Sequence, residues 1–590
     1  MKNLTGVLIA IFLGACATTQ APQSEVLKPS DPNKIQWVSW TPDLFDRAKK
    51  ENRFVVLDLE AVWCHWCHVM EEETYSNPQV ISFLKEKFIA VRVDQDARPD
   101  ISRRYEDWGW PATIFFAPDG TELVKRAGYI PPEKFLAVLN RVTTNPKPEE
   151  ADESKKLIVA DSPFLSKEIK KELENGYLSQ YDKKYGGWGK VHKFLFGETE
   201  EYALRRAFSG SQPDAQRVKR ALTAARALID PVWGGVYQYS VEDWKNPHFE
   251  KIVPKQADNL LLYSQGYILF RDKSYLKAAS DVYRYLNDFL RSPEGGYYTS
   301  QDADLVKGKH SESYFNANDA GRRKQGIPAI DKHRYARENG MVIAALTAYF
   351  SATGDDLVLM KAKESANWVL KNRKRDDGGF NHDEKDAAGP YLGDSLEMGW
   401  ALVKLYEASG DRHWLDISKN TLHFIERNFS NTADGKPAGF VTSTNSMGAS
   451  FRSEPVREEN IRLARYANQL FPYTAVAQAK KVAEQAMRFV VSPDIVGEYP
   501  TGGVLLADLE FTQAPVHMTI VGSKTDPQAS QLFKAALRFP TSYKRVDWWD
   551  KSEGPLPNPD VTYPELEKAA AFACSEGRCS LPSFSEKELL

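Results

Sequence analysis

Apolar and polar positions follow two rhythms along the chain. Residues 54–59 (Phe-Val-Val-Leu-Asp-Leu) form a short continuous apolar run, the pattern of a buried strand, and residues 88–93 alternate as a second strand. Farther on, stretches such as 275–290 and 357–370 carry apolar residues at three- and four-residue spacing, which predicts amphipathic helices. Residues 516–521 return to alternation and predict a late strand. The order is therefore an α/β unit, then a long helical region, then a short strand-bearing tail.

The helical region repeats. Two glycines and an aromatic or apolar residue recur at Gly186-Gly187-Trp188, Gly234-Gly235-Val236, Gly295-Gly296-Tyr297 and Gly378-Gly379-Phe380. A second mark recurs at Arg271-Asp272, Gly354-Asp355 and Gly410-Asp411. Asp suits a helix N-cap, and Gly suits the left-handed residue that ends a helix. A unit of about 50–60 residues built as helix, Asp turn, helix and Gly-Gly loop is an αα-hairpin. Such hairpins close into an (α/α)6 toroid, the six-hairpin glycosidase-like architecture. On that reading the loops form one rim. Trp188, Tyr239, His248, Glu250, Asp302, Asp304 and Asp394 line a funnel offering stacking aromatics and acids, as a carbohydrate site requires. The plainer reading is that these acids cap helices and bind loop backbone.

The strand 54–59 leads into Trp63-Cys64-His65-Trp66-Cys67-His68, followed by a helix-compatible stretch. A helix N-terminus places free N–H groups beside Cys64 and favours its thiolate, with Cys67 one turn on to resolve a mixed disulfide. His65 and His68 stand where they could tune that thiolate, the plainer reading being ordinary side chains at a helix start. Asp58 stands where thioredoxins carry a buried proton-relaying acid. Pro111, in Gly109-Trp110-Pro111-Ala112-Thr113 before apolar 114–116, takes the thioredoxin cis-Pro position that docks extended substrate backbone. The same residues read as Cys-x-x-Cys-His, a c-type haem attachment motif, or as a Cys/His metal site. The strand before the motif and the Pro before the next strand favour thiol chemistry, which implies no cofactor. The ten histidines show no zinc-type spacing.

Composition narrows the class. The chain has 590 residues, too many for one small domain, and its 42% hydrophobic and 27% charged residues are those of a globular protein. A net charge of −3 without a basic block argues against nucleic acid as partner. Lys2, a short apolar run and Leu13-Gly14-Ala15-Cys16 read as a signal peptide ending in a bacterial lipobox, with Cys16 lipidated. That implies a lipid-anchored envelope protein, on the periplasmic face of the outer membrane, in a disulfide-permissive compartment. Cys574 and Cys579 enclose four residues and are open to three readings: a local disulfide, a second redox pair exchanging with Cys64 and Cys67, or free thiols.

In combination, Trp63–Glu71, the acidic stretch Val93–Asp100, Tyr239-Ser-Val-Glu, Pro247–Lys251, Gly295–Asp304, Leu405–Asp411 and the tail Ala573–Pro582 resemble one family. It is the spermatogenesis-associated family, with an N-terminal thioredoxin domain and a C-terminal helical toroid. The chain departs from it at Ile252–Lys255 and at Glu338-Asn339-Gly340, which alters the charge and shape of the toroid cavity. The expected organisation is a leader and lipidated Cys over 1–16, a linker over 17–35, a thioredoxin-like domain over 36–147, a linker over 148–160, the toroid over 161–510 and a C-terminal segment over 511–590. The expected function is thiol–disulfide exchange with a protein client, the toroid holding that client or a carbohydrate. The alternatives are a sugar epimerase or hydrolase with a thioredoxin-like appendage, and a non-catalytic envelope scaffold.

Overall fold

The computed structural model describes residues 31, 33–149, 157–433, 435–445, 451–575 and 578–589. The expected leader and Cys16 lie outside the described residues. Among the described residues, no helix is long and apolar enough to cross a membrane.

The first unit is a four-stranded sheet. Strand β1 (Phe54–Glu60) runs parallel to β2 (Phe88–Asp94) and antiparallel to β3 (Ala112–Phe116), which pairs with β4 (Glu122–Ala127), giving the order β2-β1-β3-β4. Five consecutive residues of β1 are buried, which is why its sequence reads as an unbroken apolar run. Helices α1 (Leu44–Glu51) and α2 (His65–Glu73) flank it, and Cys64 is the N-cap of α2. The Trp110–Pro111 peptide is cis. This is a thioredoxin-like fold.

Twelve helices then build two concentric rings. The inner helices are Glu198–Phe208, Val253–Phe270, Ala336–Thr353, Leu392–Ser409, Arg457–Thr474 and Gly502–Thr512. Each packs on its neighbours, and the last returns to the first. Five outer helices follow their inner partners: Gln212–Ala225, Lys273–Tyr285, Asp356–Asn372, Arg412–Phe429 and Ala477–Val490. The sixth, Lys167–Ser179, comes from the start of the region and packs on the last inner helix. The result is a closed (α/α)6 toroid with all six inner helices pointing the same way.

The repeat marks have physical work at both ends. Asp272, Asp355 and Asp411 cap the outer helices, accepting from the N–H of Ser274, Leu357 and His413 at 2.8, 3.0 and 3.1 Å. At the other end each Gly-Gly loop touches the outer helix of the next hairpin. A Cβ on Gly235 would lie 2.5 Å from the Tyr285 ring, and one on Gly379 would lie 2.3 Å from Phe424. In three repeats the residue after the glycine is held by an amide at the start of the inner helix. Gln256 pairs both backbone groups of Val236, Asn339 those of Tyr297 and Asn460 those of Phe440. Phe440 belongs to a further repeat, in which Ala438-Gly439 replaces Gly-Gly and Gly439 meets Phe489.

The tail folds as a second sheet, in the order Lys544–Trp549, Val516–Val521, Ala570–Ser575, Arg578–Cys579. One parallel and two antiparallel pairings repeat the connectivity of the first sheet. Cys574 and Cys579 are cross-strand partners joined by a disulfide. This unit closes the base of the toroid. Lys534 Nζ donates to Gly354 O at 3.1 Å, Lys524 Nζ to Gly410 O at 2.7 Å, and Tyr406 Oη to Asp547 at 2.6 Å.

The thioredoxin-like unit sits on the opposite mouth, over the N-terminal ends of the inner helices. Trp40 and Tyr105 share one apolar cluster with Ala388, Tyr391 and Phe451 of the toroid, and the Trp40 and Phe451 rings are 4.6 Å apart. His382 Nε2 lies 2.7 Å from Asp96 O. The two disulfides are thus at opposite ends of the toroid, which removes the reading of Cys574 and Cys579 as a pair exchanging directly with Cys64 and Cys67.

Candidate functional site

Cys64 and Cys67 are joined by a disulfide at the start of α2, and Cys67 N–H donates to Cys64 Sγ at 3.1 Å. The helix starts there because Cys64 is extended and its sulfur takes an N–H left free by the first turn. Both residues are only 4% exposed. Trp63, Trp66, Trp110 and Ile252 pack around them, the last from the toroid. The Asp58 carboxylate accepts from Arg92 Nε at 2.9 Å and from Tyr75 Oη at 3.1 Å. Burial pushes its pKa up, with Arg92 pulling it back. Cys64 opens onto a cleft of about 1040 Å³ between the two units, lined by Cys64, Trp66, Trp110, Tyr239, Glu250 and Lys255 among others.

Glu250 also lines a smaller adjoining cavity of about 240 Å³, with His65, His248, Asp304 and His310. Asp304 takes both histidines of the Cys-x-x-Cys-His motif: His65 Nδ1 is 2.7 Å from one oxygen and His68 Nδ1 is 3.0 Å from the other. Burial works against the Asp304 anion, but the two imidazoles bring its pKa down to about 2. His68 is raised, burial being outweighed by Asp304 and Asp302. Glu250 Oε1 accepts from His65 N–H at 3.4 Å, while Glu250 Oε2 and His65 Nε2 are buried without partners. Burial lifts Glu250 to about 7. His248 is pushed down to about 4 by burial, and it stacks on Tyr239 with centroids 4.1 Å apart.

The candidate funnel residues therefore divide. Tyr239, His248, Glu250 and Asp304 gather beside the cysteines. Asp302 sits behind Asp304, accepting its N–H at 2.9 Å, with His68 Nδ1 3.8 Å away. Asp394 lies elsewhere on the rim, fixing His382 and the Arg337 N–H. Trp188 does not line the funnel. It is fully buried in the hydrophobic core, and its Nε1 donates to Tyr177 O, because the residue after a Gly-Gly loop turns inward against the helices.

His65, expected from the sequence at most to tune the Cys64 thiolate, is central to a buried ionic group. Its only sequence signal was its place between the cysteines. His68, Asp302 and Asp304 have ligand atoms within 4.8 Å of one another, close enough to share one cation. No spacing in the sequence announces that group.

Several known proteins are similar to parts of this chain. Residues 18–170 match the family described as Thioredox_DsbH, protein of unknown function, DUF255. "Uncharacterized protein B0495.5" of Caenorhabditis elegans is 24% identical over 472 residues, 67% of this chain and 62% of that protein. Spermatogenesis-associated protein 20 of Mus musculus is 29% identical over 314 residues, 46% of this chain and 39% of that protein. The chain thus spans less than two thirds of the length of these relatives. Thiol:disulfide interchange protein DsbD of Pseudomonas fluorescens is 32% identical over 80 residues, 13% of this chain and 14% of that protein. Among solved structures, cellobiose 2-epimerase from Bacillus thermoamylovorans superposes with a TM-score of 0.47 at 13% identity, over 58% of this chain and 98% of that one.

Proposed function

With kinship to the spermatogenesis-associated proteins as the premise, we propose that this chain is a thiol–disulfide oxidoreductase acting on an extended or small substrate that enters the cleft between cap and toroid. The observation that carries the proposal is Cys64 at the N-cap of α2, lining that cleft beside Trp110. In the reduced enzyme the Cys64 thiolate attacks a substrate disulfide and expels one substrate thiolate. Cys67 then attacks Cys64 Sγ, expels the second thiolate and leaves the Cys64–Cys67 disulfide. The reverse sequence oxidises a substrate dithiol. Burial of both sulfurs favours a peptide segment or a small disulfide over a folded protein surface. In this reading the chain works in the cell envelope, lipidated at Cys16.

The test is trapping. With Cys67→Ser, a small aromatic disulfide should leave a stable adduct on Cys64, and Cys64→Ser should leave none. If neither cysteine outpaces a free thiol in alkylation, the proposal fails.

A second reading has its own observation. Glu250, held near 7, lines both cavities, with a neutral His248 in the smaller and the aromatic Tyr239 in the larger. That pairing suits proton transfer on a sugar. Exchange of the C2 hydrogen of aldoses in D2O, abolished by Glu250→Gln and unaffected by Cys64→Ser, would favour it.

A further inference from the structure

At the base of the toroid, where the inner helices end, lies a separate cavity of about 70 Å³. Four side chains that line it carry buried polar atoms without a hydrogen-bond partner: Arg205 Nη1, Gln265 Oε1, Trp400 Nε1 and Ser542 Oγ. An unpaired buried polar atom costs about 1–3 kcal/mol, so four on one small cavity call for a ligand. Arg205 is 5% exposed and Trp400 4%.

Arg205 is also short of a counter-charge. The two carboxylates that act on it, Glu510 and Glu201, are both already held by Arg465: Glu510 is 3.8 Å from Arg205 Nη1 and 3.0 and 3.1 Å from Arg465, and Glu201 is 2.9 Å from Arg465. The neighbouring Arg462 is paired with Glu397 at 3.0 Å, and Lys404 with Glu407 at 2.9 Å. Burial lowers the Arg205 pKa, as expected of a guanidinium whose charge is poorly balanced. The rest of the wall mixes apolar side chains, Leu261, Ile268 and Leu269 among them, with polar ones such as Thr347, Gln469 and Lys544.

We infer that this cavity is a binding site for a small organic carboxylate, its anion held by Arg205 and the Trp400 indole N–H, its short apolar body against Leu261, Ile268 and Leu269. Gln265 and Ser542 supply the contacts for a second polar group. The volume has room for roughly five waters, the bulk of a short-chain acid. Ser542 belongs to the C-terminal unit, so the site is complete only while that unit is docked. The inference is independent of the thiol chemistry at the other mouth.

The experiment uses the full chain with acetate, butyrate and hexanoate, and the matching alcohols, read by thermal shift and calorimetry. Butyrate should bind saturably and raise Tm. Its affinity should fall at least tenfold in Arg205→Gln and several-fold in Trp400→Phe, which removes the donor and keeps an aromatic ring. Alkylation of the reduced Cys64 should be unchanged in both. If Arg205→Gln does not fold, Trp400→Phe decides the matter. Absence of binding by all three acids, equal binding by the alcohols, or binding indifferent to the soluble variants would each overturn the inference.

Discussion

Glu250 illustrates how one buried side chain sets a pH dependence. Its carboxyl is raised from the usual 4.5 to about 7 by burial, and one oxygen lacks a partner. The folded state therefore holds this proton more tightly than the unfolded state. As pH climbs from about 4.5 to about 7 the unfolded chain gains by ionising first, and stability is withdrawn. Above that window the loss is about 3 kcal/mol. Glu250→Gln, which cannot ionise, should be more stable than the parent at pH 8 by an amount of that order, the gap closing towards pH 4. Chemical denaturation at the two pH values checks this, and a gap that widens on acidification would refute it. Asp304 has the opposite sign. Its pKa of about 2 gives stability that is present above 3.8 and lost as pH falls towards 2. Asp304→Asn should free both histidines and loosen α2 against the toroid, seen as faster hydrogen exchange in residues 65–73.

At the scale of elements, the amide clamps are the repeat's least replaceable parts. Asn339 accepts from Tyr297 N–H at 2.7 Å and donates to Tyr335 O at 2.8 Å, all out of water. Asn339→Ala should cost about 2–4 kcal/mol, because it strands buried backbone groups; a change in Tm of less than a degree or two would show that the loop repacks. The same elements explain what was legible in the sequence. Outer helices such as Lys273–Tyr285 and Asp356–Asn372 announce themselves by an apolar stripe, and their Asp caps and Gly354 and Gly410 turns could be placed on sight. Inner helices are buried all round, as Leu392–Ser409 is, and carry no stripe to find. The repeat at Gly439 carries no doublet to mark it, because Ala438 stands in place of the first glycine. The tail sheet was foreseen only at 516–521, since Ala570–Ser575 reads as small and weakly patterned. The Cys-x-x-Cys and Pro111 were legible because their chemistry is local. The meeting of His65 and His68 with Asp304 was not, because it is made by docking two units. Trp188 was misplaced for the converse reason: an aromatic beside a loop can turn inward as readily as outward.

At the scale of the molecule, the cap decides which reagents reach the thiols. The joint rests on Phe451, which packs against Trp40 and lies 4.4 Å beneath the Arg104 guanidinium. Phe451→Ala should cost about 3–5 kcal/mol of packing and should let the cap lift from the rim. Reduced Cys64 in that variant should then react with a bulky maleimide at rates approaching those with a small one. In the parent the bulky reagent should lag. Equal size discrimination in both proteins would mean that the rim is not what screens the sulfurs.

The helix Lys167–Ser179 packs on Gly502–Thr512, so the ring joins the beginning of the helical region to its end. During synthesis the early hairpins must therefore wait, with one flank uncovered, until the last inner helix emerges. That long-range closure is slow by its topology and leaves apolar flanks open to wrong partners in the meantime. A chain stopped at Thr501 should be cut readily by protease across the outer helices, whereas the closed ring resists. The toroid is assembled hairpin by hairpin, but it becomes stable only as a circle.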